Sequence, residues 1–383
     1  MARPPPLSYA RAMSATVSQI LDSYDPRSPL AEAWTIPGPW YTDPNVAQLE
    51  RRGVFGRTWQ MVARADQVRE PGQFVTADVA GEPVVVVRGS DGVLRAFYNV
   101  CRHHATAVMW EPEGRASVLR CPYHGWTYNL EGELRGMTDW EGVACFDKKN
   151  FGLVPVSVAT WECFVFVNLD PAAEPLEATL GGLLELVRPL GIAQLGFFER
   201  RSYDINCNWK VYVDNYLDGG YHVPHMHKGL SSVLDYSAYT IENGPRYCIQ
   251  SSPIEGGKGE SDVAAVRKGD RAYYLWVHPN FMINIYEGVM DTNLVFPLGV
   301  DRCRVFFDFY FADVSEAARE RNAASVAVAD RVQAEDVAIA ESVQRGLLSR
   351  AYGAGRLSVR REAGEHLFHR LLHAELKSAL ERP

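Results

Sequence analysis

Two cysteines and two histidines, arranged as two mixed pairs, are the residues of this chain best suited to redox chemistry: Cys101-Arg-His103 and Cys121-Pro-Tyr-His124. Each pair offers one thiolate and one imidazole. If each of two irons takes one ligand type, the set holds a [2Fe–2S] cluster, with both thiolates on one iron and both imidazoles on the other. Neutral imidazoles in place of two thiolates raise the reduction potential, so such a centre passes single electrons at moderate potential. The competing chemistry is a tetrahedral, structural zinc site. Zinc fingers usually pair an all-cysteine knuckle with an all-histidine one. Both knuckles here are mixed, which favours iron and sulfur.

A second constellation follows in Asp214-Asn-Tyr-Leu-Asp218-Gly-Gly-Tyr-His222-Val-Pro-His225-Met-His227. Residues five apart on a regular helix diverge by about 140°. His222 and His227 therefore converge on a metal only if the helix is broken, and Pro224 is placed to break it. His225 then points elsewhere. The alternative is a histidine-rich surface turn. A redox iron needs a third ligand, commonly a carboxylate, with positions left open for O2. On a late helical stretch, Val332, Ile339, Val343 and Leu347 form an apolar stripe and Asp336 falls on it. A carboxylate on an apolar face requires an ion partner or a metal, and both remain open there. Glu335 and Glu341 lie off the stripe and read as solvated or salt-bridged.

These residues need rigid elements behind them. From Phe55 to Asn168 short runs such as Pro83–Arg88, Leu94–Tyr98 and Cys163–Val167 alternate with Gly and Pro, which predicts a small all-β domain carrying both cysteine–histidine knuckles on its loops. Beyond Asp170 the pattern changes. Leu176–Leu190 and Ala317–Arg350 read as helical, while Phe281–Tyr286, Thr292–Phe296 and Arg304–Phe311 read as strands. The fold class is thus α+β. The expected division is residues 1–54 as an N-terminal segment, with a helix near Ser14–Ser23, packing on the last domain, 55–168 as the β domain, and 169–383 as a domain of antiparallel sheet and helices. A net charge of −8 argues against a nucleic-acid footprint. Scattered cysteines, no long apolar run, and an opening Met1–Leu7 stretch without an apolar core predict a cytoplasmic protein with no membrane span.

In family order, the motifs Cys101-x-His103…Cys121-x-x-His124, Asn208-Trp-Lys…Asn215…His222…His227 and Glu335-Asp336 resemble the catalytic α-subunit of the Rieske non-haem iron oxygenases. Within that family the chain is most similar to the choline monooxygenase branch, through Asn208–Pro224, Asn280–Asn284, Met290–Val295 and Glu341–Leu347. The resemblance implies a Rieske [2Fe–2S] domain and a catalytic domain built on a curved, helix-covered antiparallel sheet. It implies mononuclear Fe(II) on His222, His227 and Asp336, with Asn215 beside the ligands, and O2 as co-substrate. It also implies a head-to-tail homotrimer in which one subunit's cluster serves its neighbour's iron. The family places an acidic residue three positions before the first iron-binding histidine as the bridge between the two sites. Gly219 stands there in this chain, and Asp218 is the nearest substitute.

No Gly-rich dinucleotide fingerprint opens a βα unit, so electrons are expected from a separate ferredoxin or a flavin/iron–sulfur reductase. For a choline-like substrate, aromatic faces around a quaternary ammonium are expected, with Tyr236, Trp276 and Tyr286 as candidates and Glu287 as a counter-charge. Hydroxylation of an aromatic ring, or N- or O-demethylation, is the alternative activity. A plain electron carrier would have no use for the second histidine-rich domain.

Overall fold

The computed structural model describes residues 15–232, 234–254 and 266–381, so Met1–Leu7 and Ser14 lie outside the described residues. Two compact units emerge, Phe55–Leu176 and, with Glu177–Pro383, the N-terminal stretch that ends at Val54. The first unit runs past Asn168 to Leu176. Within it, the Trp59 indole donates to the Glu174 carbonyl at 3.0 Å.

This first unit is all-β apart from short helical turns. One seven-stranded antiparallel sheet spans residues from Gln60 to Asn168, and a three-stranded sheet of Leu119–Arg120, Thr127–Tyr128 and Leu134–Gly136 accompanies it. Phe164–Asn168 is buried throughout, and Glu82–Arg88 is buried over its four valines, Val84–Val87. Such near-continuous burial explains why they read as apolar runs and not as alternating ones.

In the second unit, seven antiparallel strands form one sheet. They are β1 (Gly196–Ile205), β2 (Thr240–Asn243), β3 (Tyr247–Pro253), β4 (Arg271–Val277), β5 (Phe281–Tyr286), β6 (Val289–Pro297) and β7 (Cys303–Phe311), in the order β1-β7-β6-β5-β4-β3-β2. Four helices matter for the site: α1 (Trp209–Leu217), α2 (Val223–Met226), α3 (Arg319–Leu347) and α4 (Ala363–Glu381). The Asn208 side chain caps α1 by accepting from Lys210 N at 3.0 Å. Lys210 and Glu50, both buried, pair at 2.5 Å and fix the N-terminal segment to α1.

Two expectations shift. The early helix is limited to Val17–Leu21, and Leu176–Leu190 breaks into two short helices and a 3₁₀ turn. More consequentially, the buried face of α3 is only partly the predicted apolar stripe. Leu347 of that stripe is buried, but Val343 is 44% exposed, and Gln333, Ala340 and Gln344 face inward. The reason is polar. Gln333 Oε1 accepts from the Tyr212 hydroxyl at 2.7 Å, and Gln344 Oε1 accepts from Asn208 N at 2.9 Å, so glutamines join α3 to α1. Asp336 remains next to this face because it lies three residues after Gln333 and four before Ala340.

Candidate active site

On loops of the first unit the cysteine–histidine residues separate into two pairs. The donor atoms of His103 and His124 lie within 4.8 Å of one another, together with the exposed His104, and neither thiol joins that group. Cys101 and Cys121 are buried and close enough to interact with each other. A single tetrahedral ion would draw all four donors into one shell; two pairs suit two metal atoms. Both histidines also leave Nδ1 buried without a hydrogen-bond partner, which is the state expected of atoms intended for a metal. Trp126 stacks on His103 at 4.8 Å and 6°, and Trp140 packs edge-on at 5.6 Å, so aromatic rings cover this side.

The second centre is built at the end of α1. The helix stops at Leu217, and Gly219 and Gly220 follow with φ of 67° each, a conformation that turns the chain back on itself. That reversal lets Asp218 Oδ2 accept from the backbone N–H of His222 at 3.0 Å and sit 2.6 Å from its Nδ1. His222 and His227 flank the single turn α2, at its N- and C-terminal caps. Pro224 does not break the helix as expected. It occupies the first turn, where a proline fits, and the glycine pair and the non-helical His227 provide the breaks.

His227 Nε2 lies 3.1 Å from Asp336 Oδ1, and His222 Nε2 lies 3.8 Å from the same atom. The donor atoms of all three residues fall within 4.8 Å of one another. Their outer nitrogens are taken, His222 Nδ1 by Asp218 and His227 Nδ1 by Glu335 at 2.6 Å. The carboxylates thus fix each ring so that Nε2 points to the shared centre. Asn215 Nδ2 donates to Asp336 Oδ1 at 2.9 Å. Two imidazoles and one carboxylate on one side, with the rest open, suit an iron that binds O2. Glu335, read from sequence as solvated or paired, holds His227, and His225 is exposed on α2.

A cavity opens on this centre. Its floor is a cross-strand row, since Gln250, Tyr274, Asn284 and Asp291 are register partners on β3 through β6. Tyr239 and Tyr274 are near parallel, 14° apart with centroids at 6.4 Å, and Tyr286 stands at 86° to Tyr274. Burial pushes the phenols of Tyr216, Tyr239 and Tyr274 well above their ordinary value and raises Tyr286 too, so these rings stay neutral.

Of the expected substrate contacts, only Tyr286 lines this cavity. Trp276 is buried further along β4, donating to the Pro279 carbonyl at 3.1 Å and packing on Phe368 of α4. Glu287 sits in the exposed turn before Gly288. The ring of Tyr236 is covered by the Arg361 guanidinium at 3.7 Å. The lining residues missed from sequence include Arg267 and Asp291, which no spacing rule singles out.

The comparisons agree with this geometry. Residues 58–147 match the Rieske [2Fe-2S] domain, and residues 192–378 match the ring hydroxylating alpha subunit (catalytic domain). The chain is 43% identical to the chloroplastic choline monooxygenase of Arabidopsis thaliana over 376 residues, covering 94% of this chain and 87% of that one. It is 35% identical to the carnitine monooxygenase oxygenase subunit of Escherichia coli (strain K12), over 85% and 88% of the two chains. The crystal structure of the quaternary ammonium Rieske monooxygenase CntA in complex with L-carnitine superposes with a TM-score of 0.78 at 31% identity, covering 90% of this chain and 95% of that one. A thiol pair and an imidazole pair in one unit and a two-histidine, one-carboxylate centre in the other follow one plan, and the chain belongs to the Rieske non-haem iron oxygenases, as an α-subunit that uses a [2Fe–2S] cluster, a mononuclear iron and O2.

Proposed function

We propose that this oxygenase hydroxylates choline or a related quaternary amine. The observation that carries the reading is the three-tyrosine corner of Tyr239, Tyr274 and Tyr286 in the cavity that opens on His222, His227 and Asp336. Neutral aromatic faces attract a quaternary ammonium, which cannot donate a hydrogen bond and gains little from a polar wall. Electrostatics supports the same class. Asp336, Asp218 and Glu335 bring three carboxylates to a divalent iron, which leaves the centre formally anionic and tolerant of a cation. The relatives named choline and carnitine monooxygenase lend further support.

In the proposed assignment, Cys101, His103, Cys121 and His124 hold the cluster, and His222, His227 and Asp336 hold the mononuclear iron. Bound iron supplies O2 activation, with the balance R–H + O2 + two electrons + two protons giving R–OH + H2O. Asn215 fixes the Asp336 carboxylate, and Glu335 and Asp218 fix the two rings. Asp218 takes the role of the bridging acid, presenting its carboxylate to a cluster histidine of a second copy. That role requires the head-to-tail homotrimer. The solved relative described in terms of inter-subunit electron transfer favours this arrangement. Electrons would come from a ferredoxin or a flavin/iron–sulfur reductase. Seven free cysteines favour a reducing compartment such as the cytoplasm. No helix among the described residues is long and apolar enough to cross a membrane.

The test is O2 consumption with a surrogate reductase on a panel of choline, carboxylated quaternary amines and simple aromatics. Coupled consumption with the quaternary amines supports the reading. Consumption and product formation with the aromatics alone would refute it.

A further inference from the structure

Charge in the substrate cavity is not confined to the metal end. Arg267 lines the cavity and is 6% exposed. Its Nη1 donates to Ser325 Oγ at 2.7 Å, and its plane lies over the Tyr286 ring at 4.7 Å. The neighbouring carboxylate, Asp291, is also buried, but its Oδ1 stays 3.8 Å from Arg267 Nη2, beyond hydrogen-bond range. Asp291 is engaged elsewhere: Asn284 Nδ2 donates to its Oδ2 at 2.7 Å, and Asn284 Oδ1 in turn accepts from the Tyr216 hydroxyl at 2.8 Å. A guanidinium carries five N–H donors and does not lose its proton. Among the described residues, Arg267 has one short hydrogen bond, to Ser325, a side-chain contact with the Tyr286 hydroxyl, and a longer ion pair with Asp291 at 3.8 Å, which leaves donors of its fork for a further acceptor.

Burying such a group is unfavourable unless its remaining donors meet an acceptor in the working state. Choline supplies a cation and a hydroxyl, and a second cation gains nothing from a guanidinium. A carboxylate matches the guanidinium fork in charge and geometry. The same cavity then treats the two ends of one molecule differently: tyrosine faces for the ammonium and a fixed guanidinium for an anion.

We propose that Arg267 is a specificity-determining residue that binds a carboxylate, and that the preferred substrate is a quaternary ammonium carboxylate. This rests on the quaternary-amine reading above and narrows it. Asp291 and Ser325 hold the guanidinium in place without neutralising it through a direct hydrogen-bonded pair. Tyr286 serves both ends, with Arg267 on its ring and its hydroxyl 2.9 Å from that of Tyr274.

The experiment compares γ-butyrobetaine, L-carnitine and choline on the reconstituted wild type, Arg267→Lys and Arg267→Gln, with the cluster spectrum and iron content checked in each. For the wild type, kcat/KM for the carboxylates should exceed that for choline by about tenfold or more. In Arg267→Gln the ratio of γ-butyrobetaine to choline should fall roughly 100-fold, and Arg267→Lys should recover part of it. Equal efficiency of choline and the carboxylates in the wild type overturns the proposal even if no variant folds. A parallel fall for both classes in Arg267→Gln, with the ratio unchanged, assigns Arg267 to structure and overturns it as well. If no quaternary amine is turned over, the functional reading fails, and calorimetric dissociation constants for γ-butyrobetaine and choline decide Arg267 separately. Tighter binding of the carboxylate, lost in Arg267→Gln, upholds the assignment, and equal affinities overturn it.

Discussion

His222 and His227 each have one nitrogen committed to a carboxylate and the other turned to Asp336, so their roles separate in mutants. His222→Ala should lose the mononuclear iron and all turnover while the visible spectrum of the cluster persists, because the two centres are built on different units. Loss of both signals together would assign His222 to folding. Asp218→Asn keeps an acceptor for His222 Nδ1 but removes the charge. It should retain both metals and slow cluster reoxidation in a single turnover by about tenfold to 100-fold, the usual cost of altering a group behind a metal ligand. An unchanged reoxidation rate removes Asp218 from the electron path. At this scale the sequence was legible where chemistry restricts residue type: few side chains bind iron, and His222, His227 and Asp336 are all of that kind. Arg267 was not legible, because an arginine outside any regular pattern is normally a surface residue. Trp276 and Tyr274 share one face of β4, and periodicity alone does not reveal that the cavity ends before Trp276, where α4 covers it.

Helices α1, α3 and α4 carry groups whose burial matters to stability. On α4, Glu365 is 6% exposed, and burial together with the Asp214 carboxylate holds its pKa well above the ordinary 4.5. The folded state therefore favours the protonated form. The folded chain binds more protons than the unfolded chain at any pH between the two pKa values. Stability from this group is fully present below pH 4.5 and falls as pH rises toward the folded value. Glu365→Gln removes that slope, so its denaturation midpoint relative to wild type should improve as the pH rises above 4.5. A difference that does not change with pH would show that Glu365 is already ionised in the folded chain. The neighbouring residues are well satisfied, since Asp214 accepts from Tyr41 at 2.6 Å and lies 3.0 Å from His369 Nε2. The strands of this unit were legible from β-branched and aromatic runs, and β5 was expected at its observed limits, Phe281–Tyr286. The face of α3 was legible only in part. Leu347 was on the expected stripe, but two glutamines bond to α1 and its cap, and a hydrophobic pattern does not register side-chain hydrogen bonds.

For the whole molecule, the two centres fix a stoichiometry. Reconstituted protein should contain about three irons and two acid-labile sulfides per chain. Stoichiometric zinc without sulfide would contradict the oxygenase assignment at its base. The proposed homotrimer carries its own test: sedimentation should give three chains per particle, and dilution to monomers should abolish coupled turnover while both metal signals remain. A fully coupled monomer would place the whole electron path within one chain. The division into an all-β unit and an α+β unit was legible from the change in strand spacing after Asp170. Residues 1–54 were expected to pack on the catalytic domain, and the chain before Val54 is grouped with the last part of the sequence, although contacts between distant segments leave no local signature.

The glycine turn at the end of α1 bears on how enzymes of this kind are compared and redesigned. A Cβ on Gly219 would come within 2.1 Å of the Arg361 carbonyl oxygen, and the backbone there has a φ that side-chain-bearing residues avoid. Introducing the missing acid at Gly219 would displace the segment leading into α4 before it restored any bridge. In the proposed assignment the carboxylate stands one position earlier in the chain, at Asp218, where it contacts an imidazole nitrogen of His222. Grafting between such enzymes is better guided by which atom receives the His222 proton than by which residue number holds an aspartate.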